Sequence, residues 1–323
     1  MSPHRRRLLT SLTALPWLPW LGGCSPRNDL VVASHVWPGY ELLFLARSEG
    51  WLPKSGVALL ETRSASDSLA ALDDGLAHGA ALTLDEVLLA RSFGLPLQVV
   101  MVFDLSNGAD VVLTRRPLAS LAELAGMRIG VETSALGALM LRKTLAAAGL
   151  AISDVSVVAA TVDGHLPLWA EGDIDAIVTY EPVSSQLEAA GAHRVFDSRS
   201  LPDTIFDVLA LRPEAVERHA EALRGLIAGH FRALRHLRHN PQDAAYRVAG
   251  RLGLVGPQAL ASFRHLELPD VARNRSLLAA PDGPLVRAAE QLAALMHEHG
   301  LVTVRPDLAG LTNDRYLTHE AAP

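Results

Sequence analysis

Cysteine is almost missing. Cys24 is the one cysteine in 323 residues, so no disulfide can form within the chain. Aromatic residues are scarce too, at 5%, with five tryptophans and four tyrosines. There is no G-x-S-x-G turn to present a nucleophilic serine, and no glycine-rich fingerprint for a nucleotide. A basic balance is also lacking. The formal net charge is −6 and the pI is about 6.1, which speaks against a nucleic-acid partner. The longest apolar run near the start, Leu8 to Leu21, is too short to span a bilayer comfortably.

What is present fills a large core. Hydrophobic residues make up 49% and charged residues 20%, a composition for two ordered domains rather than disorder. The first residues form a separate text. Arg5, Arg6 and Arg7 precede the apolar run, and Leu21-Gly22-Gly23-Cys24 closes it. This reads as an export signal for residues 1–23. The "LGGC" resembles a bacterial lipobox, which implies cleavage before Cys24 and its acylation, and hence a periplasmic protein tethered to a membrane by lipid. Export would use the general route, with "RRRLL" leaving the twin-arginine route open. Removing the leader takes away three arginines and no acids, so the body is more acidic still.

Beyond it, β-branched runs alternate with amphipathic stretches that end in glycine. "DLVVASH", "VALLE", "AALT" and "LPLQVVMVF" read as strands. "YELLFLARSEG", "SDSLAALDDG" and "LDEVLLARSFG" read as the helices between them, the last with Thr83 and Glu86 as a capping box. The pattern restarts at "GADVVLTR" and runs to "HRVFDS"; "IFDVLAL" adds one more strand, and helices follow. The expected class is α/β, a mostly parallel sheet in each of two lobes, with a helical C-terminal tail. Lobe 1 would be discontinuous, 29–105 plus 207–318, and lobe 2 would be 106–206. The chain would cross between them near Phe103 to Gly108 and near Thr204 to Asp207.

Ligands of open parallel sheets bind outside the carboxyl ends of strands. The loops there are "HVWPGYE", "TLDE", "LSNGAD", "ETSALG" and "TYEP", and none contains lysine or arginine. They nominate Trp37, Gly39, Tyr40, Thr83, Asp85 and Asn107 as ligand-binding residues. They also nominate Asp110, Thr133, Ser134, Tyr180 and Glu181. Plainer roles stay open: Thr83, Asp85 and Ser134 as helix caps, Trp37 as filler beneath the first helix. Among the thirteen histidines, His230, His236 and His239 read as a solvated helix face, and no metal or other cofactor is expected.

Four stretches carry a resemblance: "WPGYELLFLARSEGWL", "LTLDEVLLARSFGLPLQVVMVFDLSNGADVVLTR", "LAGMRIGVETSALGALMLRKTLAAAGL" and "GDIDAIVTYEP". Together they resemble the nitrate/sulfonate/taurine family of ABC-transporter substrate-binding proteins, which includes binders of thiamine pyrimidine precursors. The likeness runs from Leu30 to Leu211 and more loosely through the tail. It implies a type II-like periplasmic-binding-protein fold, two α/β lobes on a two-strand hinge. It also implies a ligand held between the lobes, with an ABC permease and ATPase as partners of a monomeric receptor. Many relatives carry tryptophan where Tyr180 stands. Aromatic and acidic loops without arginine favour an amine-bearing or heteroaromatic nutrient. The alternatives are a small oxyanion such as nitrate or an alkanesulfonate, or a sensory receptor role. An enzymatic reading, by likeness to a superfamily member that builds a pyrimidine, requires a cysteine-rich segment that is missing here.

Overall fold

The run Leu30–Ser34 is the first strand, β1, of a computed structural model that describes residues 29–132 and 135–317. Helix α1 (Glu41–Ser48) follows, then β2 (Val57–Glu61), α2 (Ala65–Asp73), β3 (Gly79–Thr83), α3 (Leu84–Ser92) and β4 (Gln98–Ser106). β1 pairs in parallel with β2 on one side and β3 on the other. Every residue of β3 is buried, as both faces of a covered parallel sheet require.

The chain leaves this sheet at Ser106 and enters a second at Asp110. The turn between them uses Gly108 at φ +107°, a backbone region that favours glycine. The second sheet contains β5 (Asp110–Thr114), β6 (Arg128–Val131), β7 (Ser156–Ala159), β8 (Ala176–Tyr180) and β9 (His193–Asp197). Its order is β7-β6-β8-β5-β9. Helices α4 (Ala135–Ala148), α5 (Val162–Glu171) and α6 (Val183–Ala189) connect these strands.

After β9 the chain returns to the first sheet as β10 (Phe206–Leu211), which lies antiparallel between β3 and β4. The tail holds α7 (Pro213–Arg218), α8 (Ala220–His239), α9 (Pro241–Leu252) and α10 (Gly256–Ser262). A two-residue strand, β11 (Leu266–Glu267), precedes α11 (Val271–Leu278) and α12 (Pro284–Glu298). The first sheet reads β11-β4-β10-β3-β1-β2. This is the α/β architecture of two sheets with a helical tail.

The sequence patterns differ from the fold in three places. The first sheet is parallel only through β1, β2 and β3, because β10 and β11 run the other way. The long helical run from Pro213 breaks at His219 (φ −111°, ψ 29°) into α7 and α8. α11 falls in a stretch that carried no helix signal. It is fixed by Asn274, whose Oδ1 accepts from Val102 N–H at 2.7 Å and whose Nδ2 donates to Val102 O at 3.0 Å, as a neighbouring strand would.

α8 buries Leu223, Leu226, Ile227, Phe231, Leu234 and Leu237, a helical stripe that packs on α1. Gly225 and Gly229 permit that approach. A Cβ on Gly225 would lie 2.3 Å from Pro53, and one on Gly229 2.6 Å from Leu52. His230 sits in this stripe at 0% exposure, so it is not on a solvated face as the sequence suggested. His236 bonds Asp243 at 2.7 Å. Among the described residues no group of three or more acids, histidines or cysteines is arranged to hold a metal. Residues 1–23, read from the sequence as an export signal, and Cys24 lie outside the described residues.

Candidate functional site

The turn between β1 and α1 is tight because Tyr40 N–H and Glu41 N–H both donate to Trp37 O, at 3.0 and 3.1 Å. It sends two side chains toward β4 and β10 and brings the Gly39 backbone close to them. Trp37 Nε1–H donates to Asp104 Oδ2 at 3.0 Å. The Tyr40 hydroxyl donates to Asp207 Oδ1, and its ring packs on Phe103 at 5.0 Å. Gly39 lies against the Asp104 carboxylate, where a Cβ would stand 1.8 Å from Oδ2. Asp104 and Asp207 are register partners across the two strands.

α3 begins where β3 ends. Thr83 N–H donates to Glu86 Oε2 at 2.8 Å, the half of the capping box that places this carboxylate at the helix start. From the second sheet comes Asp110, whose N–H donates to Ser106 Oγ at 3.3 Å. Its register partner on β8 is Tyr180, whose hydroxyl donates to Glu132 Oε2 at 3.2 Å.

The two sides meet edge to face at Trp37 and Tyr180, with ring centroids 5.8 Å apart. His35, Thr83, Glu86 and Asp207 on one side, and Asp110, Leu136 and Tyr180 on the other, close with Trp37 around a cavity of only about 10 Å³, room for about one water. Ser66 Oγ donates to Glu132 Oε1 at 3.4 Å across the same seam. Wider hollows of about 730 and 610 Å³ lie elsewhere, one beside Pro53 and Arg218, the other beside Leu89 and Phe93. Neither gathers comparable buried polar groups.

Four expected residues line the cavity: Trp37, Thr83, Asp110 and Tyr180. Gly39 and Tyr40 stand behind it as described, and Asp85 is buried on α3. Glu181 is buried farther along, where its Oε1 accepts from Ser185 Oγ at 2.9 Å and lies 3.6 Å from His265 Nδ1. Asn107 is exposed and only its backbone is engaged, donating to His265 O at 2.8 Å. Thr133 and Ser134 lie outside the described residues.

Sequence reasoning missed His35, Glu86, Leu136 and Asp207 as lining residues, and Asp104 and Glu132 behind them. A signal existed for two. Asp104 in "MVFDL" and Asp207 in "IFDVL" are charges inside apolar strand runs, which is the informative kind of exception.

The electrostatics are one-sided. Asp85, Glu86, Asp104, Asp110, Glu132, Glu181 and Asp207 are all buried, and none pairs with an arginine or lysine among the described residues. Burial pushes Asp104 and Asp110 up to about 7 and Asp85 to about 6. Glu86 and Asp207 are pushed well above the carboxylate range, by burial first and then by the neighbouring acids Asp85 and Asp104 respectively. Burial alone lowers His35 to about 4, so it is neutral near pH 7. The arrangement can stack an apolar face and accept hydrogen bonds from a donor-rich guest.

Two sheets linked by two crossings, with a closed seam of aromatic and polar side chains between them, define a periplasmic-binding-protein-like fold. Residues 26–253 match the NMT1-like family, and the chain belongs to it. The "Putative aliphatic sulfonates-binding protein" of Escherichia coli (strain K12) is 23% identical over 79% of this chain and 79% of its own. The alkanesulfonate-binding protein SsuA from Xanthomonas axonopodis pv. citri superposes with a TM-score of 0.75 at 18% identity, covering 89% of this chain and 98% of that one. The fold also serves chemistry. The desulfurization enzyme DSZB superposes with a TM-score of 0.65 at 18% identity, covering 90% of this chain and 97% of that one.

Proposed function

We propose that this protein is the solute-binding component of an ABC importer that captures a small amine-bearing or heteroaromatic nutrient between two lobes. The lobes are 29–105 plus 207–318, built on the first sheet, and 106–206, built on the second. The observation that carries the ligand class is the cavity wall: Trp37 and Tyr180 with Glu86, Asp110 and Asp207, and no lysine or arginine. A ligand bridging Trp37 and Tyr180 would favour the closed arrangement, which a membrane permease and its ATPase would then recognise. Cys24 would carry the lipid that tethers the receptor in the periplasm.

A sulfonate is the second reading, favoured by the names of the relatives above. Any ionised acid of the wall would oppose it, whereas a protonated one could donate to it. A thermal-shift screen of the mature protein against benzylamine, 4-(aminomethyl)pyrimidine, nitrate and ethanesulfonate separates the two. A true ligand at about 100 times its Kd stabilises the fold by about 2.7 kcal/mol. A shift with ethanesulfonate or nitrate alone overturns the amine reading.

A further inference from the structure

Asp110 and Asp207 come from different sheets and line the same cavity, each about 2% exposed; Asp110 Oδ2 has no hydrogen-bond partner, and no N–H or hydroxyl donor reaches Asp207 Oδ2, whose carboxyl meets that of Asp104 instead. His35 Nδ1 lines it in the same unpartnered condition. Unsatisfied buried acceptors on opposite walls are a cost to the fold that a donor between them would relieve.

The groups around this pair decide its charge. Asp104 faces Asp207 from β4, Tyr40 donates to Asp207 from the turn before α1, and Glu86 and Asp85 approach from α3, Asp85 acting on Asp110. From the second sheet, Tyr180 and Glu132 stand beside Asp110, with Glu181 next along the chain. Behind Phe103 lies His230 of α8. None of these side chains is a lysine or arginine. So many carboxyl groups in a dry space cannot all be ionised without a counter-charge, so protons must remain on some of them.

We propose that this seam, once the two sheets part to admit a guest, is a proton-for-cation exchange site, in which Asp207 and Asp110, with Asp104 behind them, hold protons until an organic ammonium ligand enters and displaces at least one. The inference rests on the amine reading above and extends it. In the exchange a carboxyl O–H breaks, the proton leaves to water, and the freed carboxylate accepts an N–H from the ammonium group. Nothing is oxidised or reduced. The upward displacement of Asp104 and Asp110 to about 7 fits this role, as does the neutrality of His35, which supplies no internal cation. Receptor affinity then falls in acid, because the proton and the ammonium group compete for the same oxygens.

Titration calorimetry with 4-(aminomethyl)pyrimidine and with benzylamine, in phosphate and in Tris at about pH 6.5, reads the exchange directly. Expected is a buffer-dependent enthalpy equal to release of about one proton per ligand bound, and a Kd that tightens by up to roughly tenfold per pH unit below about 7 and levels off above it. Asp207→Asn and Asp110→Asn should each flatten that slope. A ligand-free measurement guards against misfolded variants: the infrared band of protonated carboxyl groups should be present in the unmodified protein near pH 6.5 and weaker in D207N. Binding with equal enthalpies in both buffers would overturn the exchange and leave the amine reading standing. Absence of the infrared band would do the same. Binding of ethanesulfonate with no heat from either amine would overturn both.

Discussion

Asp104 and Asp207 stand opposite each other in register on β4 and β10, and each is held by one aromatic donor, Trp37 for the first and Tyr40 for the second. Folding thus brings two acids together out of water. A carboxyl whose pKa rises on folding holds more protons in the folded state. Its contribution is complete below its unfolded value near 4 and is lost as pH rises through about 7, the position to which burial pushes Asp104. The buried histidines His35 and His165, each lowered to about 4, act in the opposite sense, and only below about 6.5. Urea unfolding should therefore show stability falling between about pH 6.5 and 7.5. Asp104→Asn, which keeps an acceptor for Trp37, should lose less over that interval, by about 0.7 kcal/mol, since a carboxyl with a folded value near 7 is half titrated there.

Trp37 has two duties that can be separated. Its ring meets Tyr180 across the seam, and its N–H bonds Asp104. Trp37→Phe keeps a ring but leaves a buried carboxyl unpaired, so unfolding free energy should fall by about 1–2 kcal/mol with a modest loss of affinity. Trp37→Ala removes the wall as well, and calorimetry should show affinity down by roughly tenfold to a hundredfold. Undiminished binding in Trp37→Ala would move the site elsewhere.

Gly39 is required by space rather than by backbone angle. A methyl group there would sit 1.8 Å from Asp104 Oδ2 and 3.2 Å from Trp37 Nε1. Both neighbours are buried, so neither can swing into solvent. Gly39→Ala should cost more than about 2 kcal/mol in stability and weaken ligand binding together with it, measured by thermal and calorimetric titration on one preparation.

These contrasts show what the sequence could and could not reveal. Local order was plain where periodicity and caps agreed: the apolar strand "LVVAS", the Gly50 and Gly75 stops, and the Thr83–Glu86 capping pair all act locally. The site was half visible, because the rule applied was that ligands gather beyond the carboxyl ends of parallel strands. β10 runs antiparallel, so it is the beginning of that strand, with Asp207, that reaches the cavity. No local pattern announces which strand a returning chain will insert beside. Asn107 shows the converse. It occupies a loop at the crossing, yet the turn aims its side chain outward while its backbone serves His265.

The Glu41–Arg251 pair anchors the helical tail to α1. Arg251 Nε donates to the fully buried Glu41 Oε2 at 2.8 Å, and its guanidinium lies 3.5 Å from the centroid of the Phe44 ring. Burial still raises Glu41 to about 7, with Arg251 pulling it down. Arg251→Met removes that restraint, so the carboxyl must take a proton to remain inside. The loss should reach about 3 kcal/mol near pH 8 and shrink toward pH 6, where the proton is freely available. A cost independent of pH would mean that the packing over Phe44, not the charge, is what Arg251 provides.

His230 offers the opposite test, a change expected to strengthen the fold. Its ring is wholly buried against Phe103 and Phe231, at centroid distances of 5.2 and 5.3 Å, and neither ring nitrogen has a hydrogen-bond partner. Burial alone lowers it to about 3, so the folded chain must shed a proton that the unfolded chain keeps below about 6.5. That stability is present at neutral pH and is lost as pH falls through the interval between those two values. Leucine fits the same helical stripe without an unsatisfied nitrogen. His230→Leu should therefore raise the unfolding free energy by about 1 kcal/mol at neutral pH, with a gain that widens as the solution is made acidic. A loss instead of a gain, measured by urea unfolding at about pH 7 and about pH 5, would mean that the imidazole is tied to this core by a bond stronger than its ring contacts.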